Sequence, residues 1–166
     1  MSEAISASRF PDTEHNHDDC MERALQNAER LCRERGLRFT AHRRKVLELV
    51  WSSHKPVGAY DILDSLRQGG QRAAPPTVYR ALEFLIEADL VHRLDSLNAF
   101  IGCPDPDSPH NAQFLICRSC HSVAELGDRE ISDLVAGKTS AQGFTATHQT
   151  LEIQGFCQTC GEDGID

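Results

Sequence analysis

Cys117-Arg118-Ser119-Cys120, answered far along the chain by Cys157-Gln158-Thr159-Cys160, decides how the C-terminal half is read. Two residues between thiolates let a single turn of backbone aim both sulfurs at one tetrahedral ion, and two such hooks complete four ligands. The pattern predicts a closed, structural zinc site. The 36 residues between the hooks exceed the loop of an ordinary zinc ribbon, so the ion would clamp a whole intervening subdomain between them. Two redox dithiols or four buried thiols are the competing readings; two matched pairs favour a shared ion.

Around the hooks the pattern is α+β. Residues 112–116 and 122–126 read as short strands, 128–141 as a helix with Ile131, Leu134 and Val135 facing inward, and 144–153 as an alternating strand. Three strands and one helix bury little apolar surface alone, so zinc and a second copy of the chain are expected to supply the missing stability. A homodimer is therefore expected.

Upstream the period is helical. Residues 1–17 form a flexible tail in which His15, His17 and nearby Cys20 could catch a metal opportunistically. From Asp18, apolar residues recur at three and four up to a Gly36 C-cap, with Cys32 a buried thiol on that stripe. Thr40 caps a second helix whose inward stripe is Val46, Leu47 and Val50, with Arg43, Arg44 and Lys45 crowding its start. A third helix runs from Ala59 to Gln68 before Gly69-Gly70, and a fourth from Pro76 to about Ala88. Residues 90–94 and 99–103 then make a hairpin across Asp95-Ser96-Leu97-Asn98.

Helices followed by a hairpin are the order of a winged helix-turn-helix, whose last helix enters the major groove of DNA. The fourth helix offers a hydroxyl (Thr77), a phenol (Tyr79) and a guanidinium (Arg80), while Val78, Leu82 and Leu85 can face the core. With Tyr60 these are the candidate DNA contacts. Arg80 is the best candidate for a bidentate base contact, with a phosphate contact as the equal alternative.

Composition fits two modules. The 166 residues carry a net charge of −8, which hides an asymmetry: eleven Lys or Arg against five Asp or Glu between Ala28 and Arg80, then four against fourteen. A basic module that attracts phosphates is thus joined to an acidic one with another task. No apolar run of about 18 residues is present to span a bilayer, and the start lacks an export layout, so a cytoplasmic protein without a membrane partner is expected. Seven cysteines, an odd number, point to metal ligation over disulfides. Cys, His and Glu beside zinc can activate water, but the deaminase pattern His-x-Glu before Pro-Cys-x-x-Cys does not occur, so no enzyme is expected.

Leu37-Arg38-Phe39-Thr40 with Arg43, then Pro76-Thr77-Val78-Tyr79-Arg80-Ala81-Leu82, and the two Cys hooks together resemble the ferric uptake regulator family of metal-sensing bacterial repressors, over residues 20–161. Within it, Ala59-Tyr60-Asp61-Ile62-Leu63-Asp64 and Pro75-Pro76 are most similar to the zinc-uptake branch. The resemblance implies a homodimer that binds double-stranded operator DNA when metal is plentiful and represses uptake genes. It implies a tail (1–17), a winged-helix DNA-binding domain (18–103), a hinge loop (104–111) and a dimerisation and zinc-binding domain (112–166). His92, Cys103, His110 and Glu125 match its regulatory zinc ligands, and one thiolate, two imidazoles and a carboxylate suit tetrahedral zinc better than a hard six-coordinate ion. Two zinc ions per subunit are therefore expected. Asp64 and Arg67 match a pair that bridges two dimers on one operator; an ordinary i, i+3 surface pair is the plainer reading.

Departures from the family pattern bear on this. A histidine-rich run typical of the iron branch is reduced to His110-Asn111, His42 stands where Gln is usual, and His121 where Gly is common. His148, four residues before Glu152, could belong to a further metal site that the resemblance implies; the plainer reading is that an alternating strand puts residues four apart on one face in any case. An iron, manganese or peroxide sensor of the same family, or a zinc-stapled interaction module, remain the alternatives.

Overall fold

The computed structural model describes Phe10 and residues 17–53, 55–107 and 111–161. Residues 17–107 fall in one compact unit and 111–161 in another.

The first unit is helical with a small hairpin. Helix α1 (His17–Glu34) ends through Gly36 at φ 67°, which lets the Leu37 N–H reach the Cys32 carbonyl at 2.7 Å. That left-handed closure is the reason for glycine there. Helix α2 (Ala41–Val50) is capped by Thr40, whose hydroxyl accepts from the Arg43 N–H. At the start of α3 (Ala59–Gln68) the Asp61 carboxylate accepts from the Gly58 N–H at 3.2 Å. Helix α4 (Pro75–Glu87) begins one residue earlier than expected, with prolines filling first-turn positions whose N–H groups have no intrahelical partner.

These helices close on one apolar cluster. Val46, Ile62, Val78 and Leu85 are fully buried, and Leu25, Leu31, Leu47, Leu66 and Leu82 pack with them. Cys32 lies in this cluster, and burial raises its thiol pKa. Asp89, left-handed at φ 62° without being glycine, comes just after α4; Arg35, in the turn after α1, donates to the Ala88 carbonyl and lies 3.4 Å from the Asp89 carboxylate. Strands β1 (Val91–Leu94) and β2 (Ala99–Gly102) make the antiparallel wing, with Val57 bridging to Phe100 on the outer side of β2.

The second unit is a three-stranded sheet in the order β4-β3-β5. Strand β3 (Ala112–Cys117) pairs antiparallel with β4 (Val123–Glu125) and parallel with β5 (Thr150–Gly155). Helix α5 (Arg129–Ala141) is the crossover, capped by the Asp128 carboxylate on the Ile131 N–H, and a short α6 (Gln158–Gly161) succeeds β5.

Two expectations need correction. The strand expected over 144–153 is paired, among the described residues, over 150–155, opposite the six residues of β3. The inward stripe expected on α5 is not buried: the helix has no buried residue and Leu134 is 61% exposed. Within one chain the small sheet covers little of that helix.

Candidate metal centre and nucleic-acid face

Parallel pairing of β3 with β5 builds the thiol cluster. Both strands run in one direction with Cys117 opposite Gly155, so the segments that continue from them leave from the same end of the sheet. One of those segments is the first hook and the other the second. The Arg118 N–H donates to the Gly155 carbonyl at 2.8 Å, and the Cys117 N–H and Ser122 carbonyl close the first hook at 3.0 Å. His121, exposed, supplies the left-handed corner of that turn at φ 60°, a position that glycine fills at lower cost.

The sulfurs of Cys117, Cys120, Cys157 and Cys160 lie within 4.8 Å of one another, Cys117 and Cys157 being buried. Backbone N–H groups favour the thiolate of Cys117: those of Cys120 first, then Cys157 at 3.4 Å, bring it down to about 6. The Ser122 hydroxyl, 3.3 Å from Cys120 Sγ, lowers that thiol in turn. Cys160 goes the other way. The Ser119 hydroxyl favours its thiolate, yet the crowding sulfur of Cys157 and burial push it up to about 11. Four sulfurs so close cannot all ionise without a cation among them, and a divalent thiophilic ion is the group that this donor set fits. Ser119 and Ser122 were not singled out from sequence; their signal is a hydroxyl inside the first hook and another two residues after it.

The other candidate ligands are distributed. His92 and Cys103 belong to the first unit, Glu125 on β4 to the second, and His110 lies outside the described residues. Within the first unit, register relates the two that it holds. His92 pairs with Ile101, and the Cys103 N–H donates to the Leu90 carbonyl at 3.0 Å, continuing the ladder. Residues opposite or diagonal by two share a face, so His92 and Cys103 lie on one side of the wing, one diagonal step apart. A half-buried imidazole and a buried thiol on that face are a donor pair that zinc accepts.

On α4, Val78, Ala81, Leu82 and Leu85 face the core, which leaves Thr77, Tyr79 and Arg80 exposed on the opposite side. Tyr60 opens α3 at 66% exposure. The basic start of α2, by contrast, is largely engaged within the fold. The Arg43 guanidinium lies 3.5 Å from the Phe84 ring centroid and donates to the Arg38 carbonyl; Arg44 pairs with Glu29 and Glu48, and Lys45 with Glu48 at 2.8 Å. Part of the positive charge counted in this half is therefore already neutralised locally. Asp64 and Arg67 sit 4.0 Å apart on the exposed side of α3.

His148 precedes β5, its ring 2.9 Å from the Thr150 hydroxyl, and Glu152 lies on that strand. His15 lies outside the described residues, as does the His17 side chain; Cys20 is half-buried on α1.

A winged helix that exposes a hydroxyl, a phenol and a guanidinium on its last helix, joined to a sheet with a four-thiol centre, defines the class of metal-binding winged-helix proteins. The ferric uptake regulator family model matches residues 34–154, and the chain belongs to that family. It is similar to the zinc uptake regulation protein of Escherichia coli K12, 37% identical over 139 residues that cover 83% of this chain and 81% of the relative. Among solved structures it resembles a zinc uptake regulator complexed with zinc and DNA, at 36% identity and a TM-score of 0.82, covering 86% of this chain and 96% of that one. It also resembles holo XcZur, at 45% identity and a TM-score of 0.78, covering 83% and 96%.

Proposed function

We propose that the chain is a zinc-responsive transcriptional repressor, which binds double-stranded operator DNA as a homodimer when regulatory zinc is bound and so controls zinc uptake genes. What supports this is the combination of an α4 that exposes Thr77, Tyr79 and Arg80 with the likeness to zinc uptake regulators, one of them solved with zinc and DNA. The protein acts as a regulator in the cytoplasm, where operator DNA lies.

Each subunit holds two zinc ions in this reading. Cys117, Cys120, Cys157 and Cys160 keep the first permanently and stabilise residues 112–166 as the dimerisation module. His92 and Cys103 of the winged-helix module (18–103) join His110 of the hinge (104–111) and Glu125 of the dimer module to hold the second. Zinc supplies a charge centre that four donors from separate segments can share. Those segments then adopt one arrangement in preference to others, and moving a population from about 1:99 to 99:1 needs roughly 5.5 kcal/mol of differential affinity. Fixed in register, two copies of α4 meet successive major grooves of a near-palindromic site. Thr77, Tyr79, Arg80 and Tyr60 touch the duplex, and Asp64 with Arg67 joins neighbouring dimers where two occupy one operator.

Binding of metal-stripped protein to promoter duplexes, measured with zinc, ferrous iron and manganese added separately, tests the effector. Zinc should restore binding at the lowest free concentration. Restoration by iron or manganese with zinc inert would make the chain a different sensor of the same family.

A further inference from the structure

Gly102, the last residue of β2, leans directly on the indole of Trp51. A methyl group at Gly102 would come closer than 3.0 Å to Cε2, Nε1 and Cζ2 of that ring. Gly102 is not among the left-handed glycines, so what the position requires is space and not conformational freedom. It pairs with Val91, which puts the Cα hydrogen standing in the side-chain position on the side of the wing opposite His92 and Cys103. Cys103 is the next residue in the chain.

Trp51 is also tied to the helices. It forms the C-cap of α2, its N–H bonded to the Leu47 carbonyl at 3.0 Å, and it packs against the apolar cluster that α2 shares with α4. Its ring nitrogen is buried without an acceptor among the described residues. Among the described residues, packing against the wing on one side and the helical cluster on the other holds the ring in place.

We propose that Trp51, seated against Gly102, is a positioning residue for Cys103 and His92, and that its indole senses metal at those two ligands. This rests on the regulatory reading of His92 and Cys103. A brace on the far face of a two-stranded wing stops it from rocking, so the thiol and imidazole keep the spacing that one ion needs. Outer-shell partners hydrogen-bonded to metal ligands change metal affinity by about 10 to 100-fold when removed, and a packing brace one residue from Cys103 is set at the lower end of that range. The same contact passes a shift of the wing to α2, and so toward α4.

Trp51 is the single tryptophan, which makes the test direct. Full-length protein holding one zinc per subunit is titrated with zinc while tryptophan emission and, with a competing chelator dye, affinity are monitored. Wild type should change emission with the second equivalent, and Gly102→Ala and Trp51→Phe should bind that equivalent about tenfold more weakly with the first zinc and the circular dichroism unchanged. Unaltered emission as wild type takes up the second zinc, or wild-type affinity in both variants, overturns the positioning role. Cys103→Ser separates the two layers: loss of second-zinc binding there leaves the regulatory reading standing whichever way Trp51 falls, whereas its retention removes both.

Discussion

In the N-terminal unit Val46, Ile62, Val78 and Leu85 are withdrawn from water altogether, whereas α5 of the C-terminal unit has no buried residue and leaves Leu134, Phe144 and Phe156 more than half exposed. One unit carries its own apolar core. The other has a sheet of three short strands, four thiols gathered at one end, and apolar side chains facing out. The difference teaches how far burial alone goes: it serves the first unit throughout, while in the second it stops at Ala112, Phe114, Ile116, Val123, Ala124 and two of the thiols, and the proposed metal and second copy of the chain would supply the rest. It also suits the proposed division of labour, since a unit that must present a rigid helix to DNA gains from a self-sufficient core.

Substitutions that strike one unit and spare the other break or sharpen this contrast. The largest effect is expected from Cys117→Ser. Structural zinc sites contribute on the order of 10 kcal/mol, so the variant should lose its tightly held zinc and the hydrogen-exchange protection of β3, β4 and β5. Amides of α2 and α4 should stay protected. Equal protection of both units in the variant would remove the contrast.

A smaller loss is expected from Leu85→Ala, which empties a fully buried site and should cost about 2 to 5 kcal/mol in the N-terminal unit. Zinc content at the four cysteines, measured by metal analysis, should not change. Loss of zinc in parallel would mean that the two units fold as one.

Arg80→Ala should disturb neither fold, because the side chain is exposed on α4. If it reads a base, binding to a panel of operator variants should fall by about 1 to 3 kcal/mol at one position and relax there. A uniform loss across the panel would assign it to phosphate instead.

How much of this was legible beforehand differs between the units for the same physical reason. The Thr40 cap, the bounds of α3 and the wing pairing are local: each depends on a side chain and backbone a few residues away, or on an uninterrupted apolar period. The thiol cluster was legible from spacing alone. What spacing could not reveal is that a parallel β3–β5 ladder brings the hooks together, since such a ladder joins residues nearly forty apart. The bounds of β5 differ on similar grounds: alternation from Phe144 onward does not say where a partner strand begins, and β3 pairs with residues 150–155. Leu134 looked like core because periodicity marks an apolar face without saying which chain covers it. Arg43 and Arg44 counted as positive surface, while Phe84, Glu29 and Glu48 engage them from elsewhere in the fold. For the regulatory set, the resemblance named His92, Cys103, His110 and Glu125, and strand register relates two of them, His92 and Cys103, on one face of the wing.

The most direct measurement compares the operator affinity of protein holding one zinc per subunit with that of protein holding two, at fixed salt. The account predicts a folded dimer with only salt-sensitive, sequence-independent binding in the first case, and at least a hundredfold gain on the operator with the second equivalent, about the 2.7 kcal/mol that such a ratio represents. Equal operator affinity in the two forms would contradict it.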